Sequence, residues 1–325
     1  MAQSKHLHMA VIFKASNLNY GGGVGNILTL KKLTTDARNY SYVSRQAIRY
    51  DIVRMLNEVY NYPLTEVDKQ GGKSGVIQFS KSSTIDKFPE IDFFGYMKTE
   101  KKSKTKNKNE EPETNDEDVK EKTKIRKAVV RLTDAVSLET FHNEMEFGTN
   151  KGLADRIPNN VGNDIFQAEI HRSSYCYSMT FNLDDIGKDA ADKIDLDKKQ
   201  KAERVNNLLN VIKLLYRDIR GKRENLAPVF VIGGIYDVGN PFFYNRLRLN
   251  FLRDKVEIDE KTINSVLAIT TIDNHTVREQ TLLGAIDGIF SNVGSINVEQ
   301  QKDVEGFFAG LRESVADYYK VAQVK

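Results

Sequence analysis

Apolar residues recur along this 325-residue chain in two rhythms, one of strands and one of helices. The run HMAVIFKAS, His8 to Ser16, is short and almost continuously apolar, and predicts a buried strand. From Val43 the spacing changes: Ile48, Ile52, Met55, Leu56 and Val59 fall on one helical stripe. Ser44 stands in the N-cap position, and Pro63 in the YNYP stretch closes the helix. QGGKSG (Gln70 to Gly75) marks a turn, and VIQFS (Val76 to Ser80) and DFFGYM (Asp92 to Met97) predict short strands. β character resumes over Ala128 to Leu138, and the Gly, Asn and Pro chemistry of Glu146 to Asp164 predicts an extended surface loop.

The longest β-like run is Glu169 to Gly187, where Tyr175, Tyr177, Met179 and Phe181 alternate with small or polar residues. A helix is expected from about Asp197 to Arg220, with Val205, Leu208, Leu209, Ile212 and Leu215 on one face and Gly221 at its end. Ala227 to Val238 and Tyr244 to Leu252 read as strands, and a final amphipathic helix falls near Val298 to Val321. Insertions aside, the order is strand, helix, strand, strand, helix, strand. That is the split βαβ order of an α+β, ferredoxin-like or RRM-like sheet.

Charge changes this picture where it is uneven. The formal net charge is only +3. Residues 98–127 hold 11 Lys/Arg and 8 Asp/Glu, which leaves 37 of each sign elsewhere from totals of 48 and 45. Between Lys98 and Lys127 only Val119 and Ile125 are aliphatic, too little apolar surface to offset ordering entropy of about 1–2 kcal/mol per residue, so this run is expected to be mobile. The N-terminal residues 1–54 carry Lys5, Lys14, Lys31, Lys32, Arg38, Arg45, Arg49 and Arg54 against Asp36 and Asp51 alone. Such local concentration of one sign attracts a polyanion. There is no apolar tract long enough to span a membrane and no secretory h-region, and Cys176 is the only cysteine, so a cytoplasmic protein without disulfides or a membrane partner is expected.

The stretch LNYGGGVGNILTLKK, Leu18 to Lys32, invites comparison with nucleotide loops. Asn26 follows Gly25 where a Walker loop needs Lys, and Gly23-Val24-Gly25 is followed by Asn26, Ile27 and Leu28, which breaks the Rossmann spacing. Gly22, Gly23 and Gly25 then serve either a backbone that approaches a phosphodiester closely or a loop that needs positive φ. His6 and His8 lack companion ligands at a recognised metal spacing, Cys176 lies in a β-like run, and Asp184 and Asp185 fit a strand end entering a turn. No metal or other cofactor is expected.

The strongest constellation is YVSRQAIRYDIVR, Tyr42 to Arg54. Arg45 and Arg49 are one helical turn apart, and Ser44 and Gln46 add uncharged donors at a helix N-terminus, where free amides and the dipole favour phosphate oxygens.

YVSRQAIR resembles the Ser-x-Gln-x-x-Lys/Arg motif of the crRNA-binding backbone subunits of type I CRISPR Cascade complexes, and FFGYM resembles that family's Phe-Gly-x-Met stretch. AVVRLTDAVSL and YSMTFNLDDIG are similar to its next two strands, and the likeness runs in order over residues 8 to about 250, nearest the DevR-type branch of type I-B systems. The resemblance implies a modified RRM-like palm with finger and thumb insertions, the fingers at 61–127 and the thumb at 139–168. It implies a non-catalytic subunit whose copies stack head to tail along the guide RNA, beside other Cascade subunits, and display the spacer to target DNA. Ser44, Gln46 and Arg49 match the motif's contacts. Lys31, 13 residues before Ser44, falls where the family places a phosphate-contacting lysine, and Arg45 departs from the usual small residue. Asn150, Lys151 and Arg156 become thumb contacts. The RNP1 consensus is absent, which favours phosphate recognition over base stacking on the sheet.

Two other functions stay open at this point. A type III-like relative would cleave target RNA with a metal ion at Asp36, which otherwise reads as a turn residue. A stand-alone RNA-binding regulator would prefer one RNA sequence.

Overall fold

The computed structural model describes residues 5–70, 75–100, 122–158, 162 and 164–322. The chain begins with β1 (His6–Ser16), β2 (Tyr20–Val24), β3 (Ile27–Leu30), β4 (Lys32–Thr35), β5 (Arg38–Val43) and α1 (Arg45–Tyr60). Next come β6 (Val67–Gln70), β7 (Val76–Phe79), α2 (Pro89–Phe94), β8 (Tyr96–Glu100) and β9 (Lys122–Arg126). The middle holds β10 (Val130–Leu132), β11 (Ala135–Ser137), β12 (Glu144–Thr149), α3 (Lys151–Ala154), β13 (Ile165–Ile170) and β14 (Arg172–Asn182). Two short strands, β15 (Lys188–Asp189) and β16 (Ile194–Asp195), precede α4 (Lys198–Lys213), β17 (Tyr216–Ile219), β18 (Lys222–Asn225) and β19 (Phe230–Tyr236). β20 (Leu249–Phe251), β21 (Val256–Ile258), α5 (Glu260–Leu267), β22 (Thr281–Ala285), β23 (Gln300–Lys302) and α6 (Val304–Tyr319) complete the order.

The main sheet runs β23-β22-β19-β1-β14-β11-β5-β4, with β10 also paired to β14. Its centre, β19-β1-β14-β11, is antiparallel throughout. In chain order that centre is fourth strand, first, third, second, the interleaving produced by two split βαβ units through α1 and α4. β1 is buried on both faces, because successive side chains point opposite ways. Leu7, Met9, Val11 and Phe13 meet a core with residues of α1, α4 and α6, while Ala10 and Ile12 meet a second core around Phe243, Ile263 and Leu283. This double burial explains the continuous apolar run. No helix among the described residues is long and apolar enough to cross a membrane.

Several expectations are corrected. The DFFGYM stretch is not one strand: Pro89 at the first helical turn, with Glu90 and Asp92, starts α2, which stops at Gly95. Gly95 has φ +71°, and a Cβ there would lie 2.4 Å from the Arg126 carbonyl oxygen, so both conformation and space demand glycine. The charged run is ordered at both ends, where β8 and β9 pair; residues 101–121, and 71–74 of the predicted turn, lie outside the described residues. Arg126 and Arg204 bind the buried Asp92 at 2.6 and 2.7 Å, so part of that run is a structural anchor.

The Leu18 to Lys32 loop is a hairpin of β2 and β3, and Glu146 to Asp164 holds the end of β12 and then α3 ahead of β13, with residues 159–161 and 163 outside the described ones. These strands form one four-stranded sheet, β12-β13-β3-β2. The second helix ends at Lys213 and Gly221 serves a hairpin turn instead, since Leu215 turns into the core at 0% exposure and β17 follows. Only Leu249–Phe251 of the Tyr244 to Leu252 run is strand, α6 begins at Val304, and Val59 of the first helical stripe is 58% exposed.

Candidate nucleic-acid interface

The N-terminus of α1 is the natural place to begin, because its sequence carries the predicted anion contacts. Ser44 precedes the helix in extended conformation but makes no side-chain cap. Its hydroxyl instead accepts from Asn19 Nδ2 at 3.1 Å. The Arg45 N–H donates to Asp134 Oδ1 at 2.7 Å, so the expected free amide is occupied by a carboxylate from the loop between β10 and β11. With that amide occupied, the side chains of the helix end are the anion donors to consider.

Those side chains converge. Arg45, Gln46 and Arg49 line a cleft of about 410 Å³ with Phe94, Leu132 and Arg131. Arg131 was invisible as a site residue in the sequence: it comes from β10, where it pairs across from Thr180 of β14. The one signal was a basic residue within an otherwise apolar strand. Arg49 is held in place by Glu90 at 2.8 Å and lies over the Phe94 ring at 4.8 Å. The side chains of Arg45 and Arg131 are exposed and make no hydrogen bond or ion pair among the described residues.

The basic N-terminal segment divides along the same lines. Lys5, Lys32, Arg49 and Arg54 have carboxylate partners in Asp237, Glu169, Glu90 and Glu58. The side chains of Lys14, Lys31, Arg38 and Arg45 have no such partner among the described residues. Lys31 is tied to the α1 cap through its backbone, since its N–H donates to Asn19 O at 2.9 Å and Asn19 in turn holds Ser44. The structure thus joins Ser44, Arg45, Gln46 and Arg49 on one helix end and connects Lys31 to them by one residue.

The remaining predicted residues sit on the second sheet. Gly22 and Gly23 belong to β2, an edge strand, and Gly25 makes the turn to β3 with φ +58°. Glu169 ties this hairpin to β13, accepting from Leu30 N–H at 2.7 Å and from Lys32 Nζ at 2.6 Å. Asn150, Lys151 and Arg156 lie at the turn joining β12 and β13. Asn150 is engaged with Asp164, donating from Nδ2 at 3.1 Å and accepting its N–H at 2.7 Å, whereas Lys151 and Arg156 are exposed.

Other candidate chemistry resolves into structure. Asp36 and Ala37, at φ 49° and 59°, form the two-residue turn between β4 and β5. No group of three His, Cys, Asp or Glu among the described residues gathers to hold a metal ion. His8 is buried, with Phe243 N–H donating to Nε2 at 3.4 Å, which leaves the proton on Nδ1, 3.1 Å from Met179 O. Burial holds its pKa down at about 4. Burial likewise pushes the Cys176 thiol up to about 12, far from a reactive thiolate.

A split βαβ sheet that presents three arginines and a glutamine from one helix end and its neighbouring strand defines an α+β protein with a basic cleft. The family model described as "CRISPR-associated negative auto-regulator DevR/Csa2" matches residues 7–258, and the chain belongs to that CRISPR-associated family. Two solved structures share the fold at low identity. A chain of a "CRISPR RNA-guided surveillance complex, pre-nicking" superposes with a TM-score of 0.56 at 11% identity, covering 94% of this chain and 100% of that one. A chain of a "CRISPR RNA-guided surveillance complex" gives 0.51 at 12% identity, covering 94% and 99%. No curated protein sequence matches significantly.

Proposed function

We propose that this protein is a non-catalytic RNA-binding subunit of a CRISPR surveillance complex, whose copies stack along the guide RNA and display its spacer to target DNA. The observation that carries the reading is the cleft where Arg45, Gln46 and Arg49 of α1 meet Arg131 of β10. Its chemistry suits phosphate oxygens, because guanidinium groups donate to them in pairs. Family membership and the fold of the two surveillance-complex chains support the same reading. In this scheme residues 139–168 act as a thumb and 61–127 as fingers. Lys31, Lys151, Arg156 and the β2–β3 hairpin lie along the RNA path, Ser44 supports the helix end, and Asn150 shapes the thumb tip. Other subunits of the complex and a cytoplasmic setting follow from the role.

A cleaving role for Asp36 is not favoured, because that residue serves a hairpin turn.

The test is equilibrium binding of guide RNAs with unrelated spacers, across a salt series. Arg45→Ala and Arg131→Ala are each expected to weaken binding to every spacer alike and to lower the salt slope by about 0.7, one single-strand phosphate's worth. A loss confined to one spacer, or binding indifferent to salt, overturns the reading.

A further inference from the structure

The tip of the β17–β18 hairpin belongs to nothing assigned above. Arg220 and Gly221 form its turn, at φ 50° and 73°. The hairpin's charges separate into engaged and open ones. Asp218 is held by Arg223 through Nε at 2.8 Å and Nη2 at 2.9 Å, and Arg217 binds Asp51 at 2.6 Å. Glu224 accepts from the Ser16 N–H at 3.1 Å and its hydroxyl at 3.2 Å. Arg220 and Lys222 stay exposed, with no carboxylate on either among the described residues.

Arg220 is aimed at aromatic surface. Its Nη1 donates to Tyr20 Oη at 3.1 Å, and its guanidinium lies 5.2 Å from the Tyr20 ring and 5.7 Å from the Phe166 ring. Phe166 comes from β13, and Gly148 makes room for it: a Cβ there would lie 2.2 Å from the ring. The three residues line a narrow cleft of about 120 Å³ with Lys222, and Glu146 is the acid on its wall. Arg220 and Lys222 also border a wider hollow of about 460 Å³ along the hairpin tip. Open cations beside the half-buried Tyr20 ring and the partly exposed Phe166 ring suit a nucleotide, whose phosphate and base occupy the two kinds of surface together. An acidic protein surface would use the cations and leave Phe166, 37% exposed, without a role.

We infer that the β17–β18 tip is a second contact for single-stranded nucleic acid, in which Arg220 and Lys222 take phosphate oxygens and the Phe166 and Tyr20 faces take a base. It rests on the RNA-binding reading above and adds an element remote in sequence from α1. The test is fluorescence anisotropy of the full chain with a labelled single-stranded RNA, alongside the Arg45→Ala variant. Arg220→Gln and Phe166→Leu are expected to weaken binding about five- to tenfold, within the range of one lost stacked base. Lys222→Gln should lower the salt slope by about 0.7. Glu146→Gln should tighten binding about twofold by removing the acid from the wall, a gain that misfolding cannot imitate. Parent-like affinity in Arg220→Gln and Lys222→Gln, with loss in Arg45→Ala, overturns this contact and leaves the α1 cleft standing. No RNA binding by the parent chain, with capture of polyglutamate instead, overturns both.

Discussion

Arg49 differs from its neighbours in the cleft because a carboxylate already sits on it. The Glu90 pair at 2.8 Å and the Phe94 ring at 4.8 Å fix the guanidinium but cancel part of its charge. Both partners of the pair keep some water contact, so the pair itself contributes at most about 1 kcal/mol to stability. Glu90→Gln is therefore expected to leave the fold intact and to strengthen guide-RNA binding by roughly two- to fivefold, with a steeper salt slope. Anisotropy titrations at two salt concentrations check this. Weaker binding in Glu90→Gln would mean that the carboxylate is needed to orient Arg49 more than it opposes the anion.

At the scale of elements, Gly95 is the joint between α2 and β8, and the physical demands on it are severe. Its φ of +71° and the 2.4 Å approach of the Arg126 carbonyl to a Cβ place strain on any other residue. Gly95→Ala should cost about 1–3 kcal/mol and lower the thermal midpoint by several degrees, measured by calorimetry. A midpoint unchanged from the parent would show that the β8–β9 hairpin can shift at no cost. The same joint shows why some elements were legible in sequence and others were not. β1, α1 and α4 were readable because their apolar spacing reports directly which face is buried. The strands β2 and β12 were not, since one has glycine at three of its five positions and the other is exposed at most positions; neither carries a period, and each is held by its sheet partners. Asp92 to Phe94 looked β-like by composition, yet Pro89 and Gly95 bracket them as a helix. The cleft divides the same way. Ser44, Gln46 and Arg49 were legible as one helix end, whereas Arg131 and the Asp134 contact reach that end only through the pairing of β10 and β11 with β14.

The whole molecule is organised about β1, which separates the two cores, and this makes one histidine a determinant of global stability. His8 is fully buried in that strand and is kept neutral, its pKa lowered to about 4 from 6.5. Burial lowers His6 and His171 in the same direction. Between those two pH values the unfolded chain binds a proton at this histidine that the folded protein refuses. Stability is complete above the ordinary histidine range and falls as the pH drops toward 4. For His8 alone, integrating between the two pKa values gives a loss of about 2 kcal/mol from pH 7 to pH 5, a window in which most carboxylates remain ionised. His8→Gln keeps a donor for Met179 O and an acceptor for the Phe243 N–H but cannot titrate. Urea unfolding at the two pH values should show the parent losing most of that free energy and the variant losing distinctly less. Equal losses in both proteins would place the acid sensitivity in other groups and remove His8 from the account.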